Sequence, residues 1–179
     1  MGWSASHKQD TRNAILDAAA GLFTRYGYEQ VGVNQVMEAA GLTRGAFYAH
    51  FKSKAALYAE AIPHAARRAQ QALLDSLPER PDRQSMINGY LSETHRRGET
   101  LGCPLAFLTT DVSQRDPEVR AAYTHVFRGF IEQFSKTPEK RQAAIKASVL
   151  MIGGMAIARA LDDEDLVKEL FEVCRKVSD

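Results

Sequence analysis

Arg44, Gly45, Tyr48 and Ala49 share one side of a short segment whose other side carries Phe47 and Phe51. A long cation and a phenol flanked by small residues suit close approach to a nucleic-acid groove. An arginine pairs with guanine edges, and a tyrosine reaches a phosphate or a base. Thr43 precedes this set, and His50, Lys52 and Lys54 follow it. Lys54 is placed to hold a phosphate, and His50 and Lys52 can add contacts. A helix beginning near Lys54 adds free N–H groups of its own. A cation in a first helical turn is slightly unfavourable for the helix, which points to an external anion.

The elements that must hold these residues are legible from spacing. Ile15, Ala18, Ala19, Leu22, Phe23 and Tyr26 repeat at helical intervals until Gly27. Val33, Val36, Met37 and Ala40 form a shorter stripe ended by Gly41. Thr43 then caps a third helix from about Arg44 to Phe51, packed inward by Phe47, Phe51 and Leu42. Two short helices joined by Gly41-Leu42-Thr43 are the helix-turn-helix that places a reading helix in a major groove. Ser53 caps a fourth helix reaching toward Leu77, in which Pro63 predicts a kink near Ala59–Ile62.

The remainder is also helical in pattern. One helix is expected from Asp82 to about Gly98, and another opens at Pro104 with Cys103 as its N-cap. Asp116-Pro117-Glu118 and Thr137-Pro138-Glu139 start two more, the second running to about Leu161. The last has four acids at its start, Asp162 to Asp165, and Arg175 and Lys176 at its end. No period-two run competes. The expectation is an all-α chain of about nine helices: a three-helix helix-turn-helix domain over residues 1–54, and a second helical domain over residues 55–179.

Composition excludes more than it selects. The net charge is +1, with six Lys/Arg against four Asp/Glu in residues 1–54 and seventeen against eighteen beyond. Bulk charge therefore makes no case for nucleic acid, and the motif has to. No run of about 18 apolar residues marks a membrane span. The polar start and two distant cysteines, Cys103 and Cys174, suit a thiol-reduced, cytoplasmic protein. The five histidines have no metal-ligand spacing and no nucleophile or nucleotide motif occurs, so neither an enzyme nor a cofactor or metal site is expected.

Residues 10–58 resemble the DNA-binding domain of the TetR family of transcriptional regulators. The resembling residues include Thr11-Arg12, Ile15-Leu16, Ala18-Ala19, Leu22-Phe23, Gly27-Tyr28 and Val36. They continue through Ala39 to Gly45, Phe47-Tyr48, His50-Phe51, Lys52-Ser53-Lys54 and Leu57. The resemblance implies a homodimeric helical repressor that binds a pseudo-palindromic double-stranded operator and is released by a small effector, with residues 55–179 as its effector-binding and dimerisation domain. Carried over, Arg44, Gly45, Ala46 and Tyr48 face bases, and Thr43, Tyr48, His50 and Lys54 face phosphates. Val31 and Gly32 stand where the family usually has a hydroxyl, which removes one expected phosphate contact.

For the effector pocket the candidates are Tyr90, His95, Cys103, Leu105, Phe107, Leu108, Tyr123 and Phe127, with Phe130 and Thr109 beside them. Cys103 at a helix start is expected to have a thiol pKa below about 8.5, which would make it a thiol-reactive sensor. The bland alternative is a small residue at a tight turn. Gly153-Gly154 inside a long helix suits close helix approach across a dimer interface, a pocket or a kink. The apolar residues Ala147, Leu150, Met151, Ala158, Leu161, Leu166, Leu170, Val173, Cys174 and Val177 suggest a four-helix dimer interface. A second class of function is a helical small-molecule-binding protein whose DNA-binding end is vestigial.

Overall fold

The computed structural model describes residues 5–98, 102–135 and 137–176. Among them are ten α-helices and two short 3₁₀ helices, and no strand. In order these are α1 (Ala5–Gln30), α2 (Val33–Ala39), a 3₁₀ helix (Arg44–Ala49), α3 (Lys54–Asp75), α4 (Arg83–Tyr90) and α5 (Glu93–Arg97). There follow α6 (Pro104–Phe107), α7 (Thr109–Ser113), α8 (Pro117–Phe134), a 3₁₀ turn (Pro138–Lys140), α9 (Arg141–Ala158) and α10 (Glu164–Arg175). No described helix is long and apolar enough to cross a membrane.

Local chemistry explains the boundaries. Gly27 has φ +77° and breaks α1 where the apolar stripe ends. Gly41, at φ +70°, closes α2 in a Schellman arrangement. Its N–H donates to the Glu38 carbonyl at 2.9 Å, and the Leu42 N–H donates to the Met37 carbonyl at 2.8 Å. Ser53 caps α3 by accepting from the Ala56 N–H at 3.0 Å. Asp163 caps α10 by accepting from the N–H groups of Asp165 and Leu166, both at 3.0 Å.

Several elements differ from the spacing. The third expected helix is a 3₁₀ helix rather than α; Thr43 is its N-cap, but its side chain caps nothing. At six residues, tight i→i+3 bonding is still tolerable. The helix expected from Asp82 to Gly98 is two, α4 and α5, because Ser92 caps a new start by accepting from the His95 N–H. Pro63, by contrast, lies inside α3 as expected, and the helix runs on to Asp75, two residues short of Leu77.

Two cores share α3. The first joins Ile15, Ala19 and Phe23 of α1, Val36 and Met37 of α2, Phe47, Phe51, Leu57, Tyr58 and Ile62, and it also takes in Leu108, Val112 and Val119. The second joins Ile87, Tyr90 and Leu91, Cys103 and Leu105, Met151 and Met155, and Val167, Phe171 and Cys174. Helix α3 packs on α1 with its N-terminal half and on α8 further along. The expected boundary after residue 54 thus falls at the start of a helix that belongs to both cores.

Gly41→Ala forces a β-carbon into left-handed backbone, although no atom lies within 4 Å of where that carbon would sit. We expect a loss of about 1–2 kcal/mol from strain alone. Urea denaturation measures it, and an unchanged midpoint would refute the Schellman role.

Candidate nucleic-acid interface

The 3₁₀ segment is anchored by one side and open on the other. Phe47 is fully buried and Phe51 nearly so, with ring centroids 5.9 Å apart. Burying Phe47 contributes about 1.5–3 kcal/mol, which fixes the segment against α1 and α2. Arg44, Gly45 and Ala49 are exposed, and Tyr48 is 66% exposed. The Tyr48 ring meets Phe47 edge-on at 5.1 Å, which holds an otherwise free phenol upright. Ala46, expected to face bases, is half-buried against the first core. Thr43 is exposed beside Arg44.

The flanking cations are not equivalent. His50 is half-buried and its Nδ1 has no hydrogen-bond partner among the described residues. Burial lowers its pKa, and Lys8 and Arg12 lower it further. Arg12 lies over the Phe51 ring at 4.6 Å and pairs with Glu60. Lys54 lies over the Tyr28 ring at 4.1 Å, and burial lowers its pKa although Glu29 opposes this. A cation in this first turn therefore already has an internal partner, an aromatic face. The Gly32 N–H donates to Gln35 Oε1 at 2.6 Å, so α2 keeps part of a capping box without a hydroxyl.

Behind Lys54 lies a polar joint. Tyr58 of α3 donates to Asp111 Oδ2 of α7 at 2.5 Å, and the Tyr28 N–H donates to Asp111 Oδ1 at 3.4 Å. Arg115 pairs with Asp111 at 3.3 Å and with Glu29, and it covers the Tyr28 ring at 4.7 Å. Burial and the bond to Asp111 push the Tyr58 phenol far above its usual range. Nothing in the spacing joined Asp111 or Arg115 to this end of the molecule, because they lie more than 80 residues from Tyr28 and Glu29.

A cavity of about 490 Å³ lies between α3, α4, α5 and α8. Of the expected pocket residues, Tyr90, His95, Cys103 and Leu105 line it. Phe107, Leu108, Tyr123 and Phe127 do not. Leu108 is buried in the first core, and Phe107 stacks on His95 at 5.6 Å beneath the Arg159 guanidinium. The Tyr123 hydroxyl donates to the Leu105 carbonyl at 2.7 Å, and Phe127 packs on the second core. The residues missed are chiefly those of α3 (Pro63, Ala66, Arg67, Gln70, Leu73 and Leu77), with His125, Gly129 and Gln133 of α8. Their signal was a second stripe along α3, written in small and polar side chains that do not stand out as apolar.

Cys103 corrects an expectation. Its thiol is buried, and desolvation raises its pKa; the Tyr90 hydroxyl and the N–H groups of Leu105 and Ala106 only partly offset this. A single turn of helix, Pro104–Phe107, supplies too few aligned peptides to overcome burial. His95 fixes the loop. Its Nε2 accepts from the Cys103 N–H at 3.1 Å, so Nδ1 carries the proton and donates to the Tyr90 carbonyl at 2.7 Å. Burial accordingly lowers its pKa.

The dimer-interface expectation also changes in detail. Ala147, Met151, Ala158 and Cys174 are buried within the chain, while Leu161 and Leu170 are half-buried. Leu150, Leu166 and Val173 are exposed, joined by Ile145, Val149 and Ile157. A β-carbon on Gly154 would meet Cys174 Sγ at 2.9 Å, so that glycine serves packing of α9 on α10 within one chain. Gly153 has no atom within 4 Å of such a carbon. Val177 lies outside the described residues.

Comparison with known proteins agrees with this geometry. A family model described as bacterial regulatory proteins, tetR family, matches residues 15–61. The transcriptional regulator AcrR of Shigella flexneri is 46% identical over 52 residues, 29% of this chain and 24% of that protein. The regulator TtgR of Pseudomonas putida is 37% identical over 95 residues, 53% of this chain and 38% of that protein. These matches thus span well under half of the relatives' lengths. A TetR-family regulator from Cytophaga hutchinsonii superposes with a TM-score of 0.79 at 19% identity, over 98% of this chain and 96% of that one, a likeness of fold. Residues 15–61 thus resemble the tetR family of bacterial regulatory proteins, and the chain as a whole shares the fold of such a regulator.

Proposed function

We propose that this protein is a sequence-specific transcriptional repressor that works as a homodimer in the cytoplasm and leaves its operator when a small molecule fills the cavity. The observation that carries the reading is the open face of the 3₁₀ segment. Arg44, Gly45 and Tyr48 project from a support held by Phe47 and Phe51. A projecting face on a rigid base is what direct readout of base edges requires. Arg44 and Tyr48 read bases, and Gly45 and Ala46 let the backbone approach. Thr43, His50 and Lys54 hold phosphates.

Dimerisation follows from α9 and α10. Val149, Ile157 and Val173 are each more than half exposed, and with Ile145, Leu150 and Leu166 they leave an apolar surface on two neighbouring helices. Two copies of this pair bury it as a four-helix interface. The operator is then a pseudo-palindrome. For release, Leu105 in the cavity and Asp111 in the polar joint lie on the abutting α6 and α7. A ligand that favours one placement of these turns favours one placement of Tyr28 and Lys54. A non-covalent effector fits better than a thiol-reactive one, because the Cys103 thiol is buried with a raised pKa.

On an operator selected from random duplexes, Arg44→Ala is expected to cost about 1–3 kcal/mol and to relax preference at one base pair. Lys54→Ala is expected to weaken all duplexes alike and to reduce the salt slope by about one. A specificity change from Lys54→Ala with an intact slope would reverse these roles.

Inserting roughly five base pairs between half-sites turns them to opposite faces and is expected to abolish tight binding. The pair Val149→Glu and Val173→Glu is expected to give a monomer by analytical ultracentrifugation and the same loss. Tight binding by that monomer would exclude the dimer.

Neither Cys103 nor Cys174 is expected to be alkylated near neutral pH much faster in the folded protein than in urea, since burial raises both pKa values. Mass mapping reads this. Rapid labelling of Cys103 with release of DNA would restore the sensor reading.

A further inference from the structure

The cavity has a polarity that its size alone does not convey. Among the described residues no Asp or Glu lines it, although the chain carries 22 acids among 179 residues. Its deeper wall is mostly apolar, from Leu73, Leu77, Leu105, Val126 and Phe130. The buried Tyr90 hydroxyl, which has no nitrogen or oxygen hydrogen-bond partner among the described residues, is a polar point in it. Its rim is polar and exposed. Arg67 and Gln70 lie one turn apart on α3, facing His125 and Gln133 on α8. The neighbouring Arg68 is neutralised by Asp17 at 2.9 Å. Arg67 has no ion pair or hydrogen bond among the described residues.

This arrangement discriminates by charge. A cationic ligand would give up water and find no carboxylate among the described lining residues, which is costly in a low-dielectric site. An anion finds a guanidinium that is charged at every physiological pH, with amide and imidazole donors beside it. We propose that the cavity takes an amphipathic anion, its apolar body between α3, α4 and α8 and its carboxylate or sulfonate head on Arg67. This assignment rests on reading the cavity as the effector site.

Gly129 allows a clean block. It lies in α8 on the cavity wall, and no atom sits within 4 Å of where its β-carbon would be. Gly129→Trp therefore places its β-carbon without a clash and sets an indole on the cavity wall, and it replaces a residue that weakens helices.

The test uses the full chain without DNA and three fluorescent probes. These are 1-anilinonaphthalene-8-sulfonate, its uncharged counterpart N-phenyl-1-naphthylamine, and cationic ethidium. Both naphthyl probes are expected to bind once per chain, the sulfonate about fivefold tighter, as for one partly exposed ion pair. Ethidium is expected not to bind. Arg67→Ala should erase the sulfonate's advantage while leaving the uncharged probe unchanged. Gly129→Trp should abolish both at an undiminished melting temperature. If that variant melts early, Arg67→Ala alone decides, since it alters only an exposed side chain. Ethidium binding as tightly as the sulfonate, a sulfonate advantage that survives Arg67→Ala, or no binding of any probe would overturn the assignment. Duplex binding is scored separately. Its absence alongside the expected probe results would remove the repressor reading and leave the ligand class standing.

Discussion

The buried hydroxyl of Tyr58 is the constraint around which the two halves are arranged. Its ring is wholly enclosed, 4.7 Å from Phe23 and 5.1 Å from Tyr28 by centroids. A phenol placed there without an acceptor would forfeit about 1–3 kcal/mol. Asp111 supplies the acceptor, and Asp111 belongs to α7, not to the reading head. The same carboxylate takes the Tyr28 N–H just past the break at Gly27. One carboxylate thus satisfies donors from both helices that support the reading segment.

From that joint the geometry runs in two directions. Toward the reading end, Tyr28 holds Lys54 on one ring contact and Arg115 on another. Toward the other end, α7 abuts α6, whose Leu105 lines the cavity and whose carbonyl accepts the Tyr123 hydroxyl. Helix α3 spans the whole distance, with Tyr58 in the first core and Leu73 on the cavity wall. The cavity and the reading segment are therefore parts of one packed body connected by short rigid elements. Packed cores of this kind favour discrete rearrangements over gradual deformation.

The reading head was legible because its signals are local. Gly41 must sit after α2 for its positive φ, Ser53 must precede α3 to cap it, and Phe47 and Phe51 stand four apart. The rest of the chain was legible only as helices. Ser92 divided the helix expected from Asp82 to Gly98, and half of the expected pocket residues proved to be core. An aromatic at helical spacing looks the same whether it lines a cavity or packs against its neighbour. Cys103 failed for a related reason. Its helix-start position was read correctly, but its burial was not, and desolvation outweighs the few N–H groups that face it.

By itself the sequence determined the all-helical class, the helix-turn-helix and the side of it that carries Arg44 and Tyr48. Helical period, glycine conformation and capping act over a few residues and are written in order along the chain. Tertiary structure alone decided that Tyr58 meets Asp111 and that α3 walls the cavity with Arg67 on its rim. It also decided that Gly154 serves Cys174 in the same chain. Those outcomes depend on contacts between segments distant in sequence, whose partners are chosen by packing and by the need of each buried polar group for a mate.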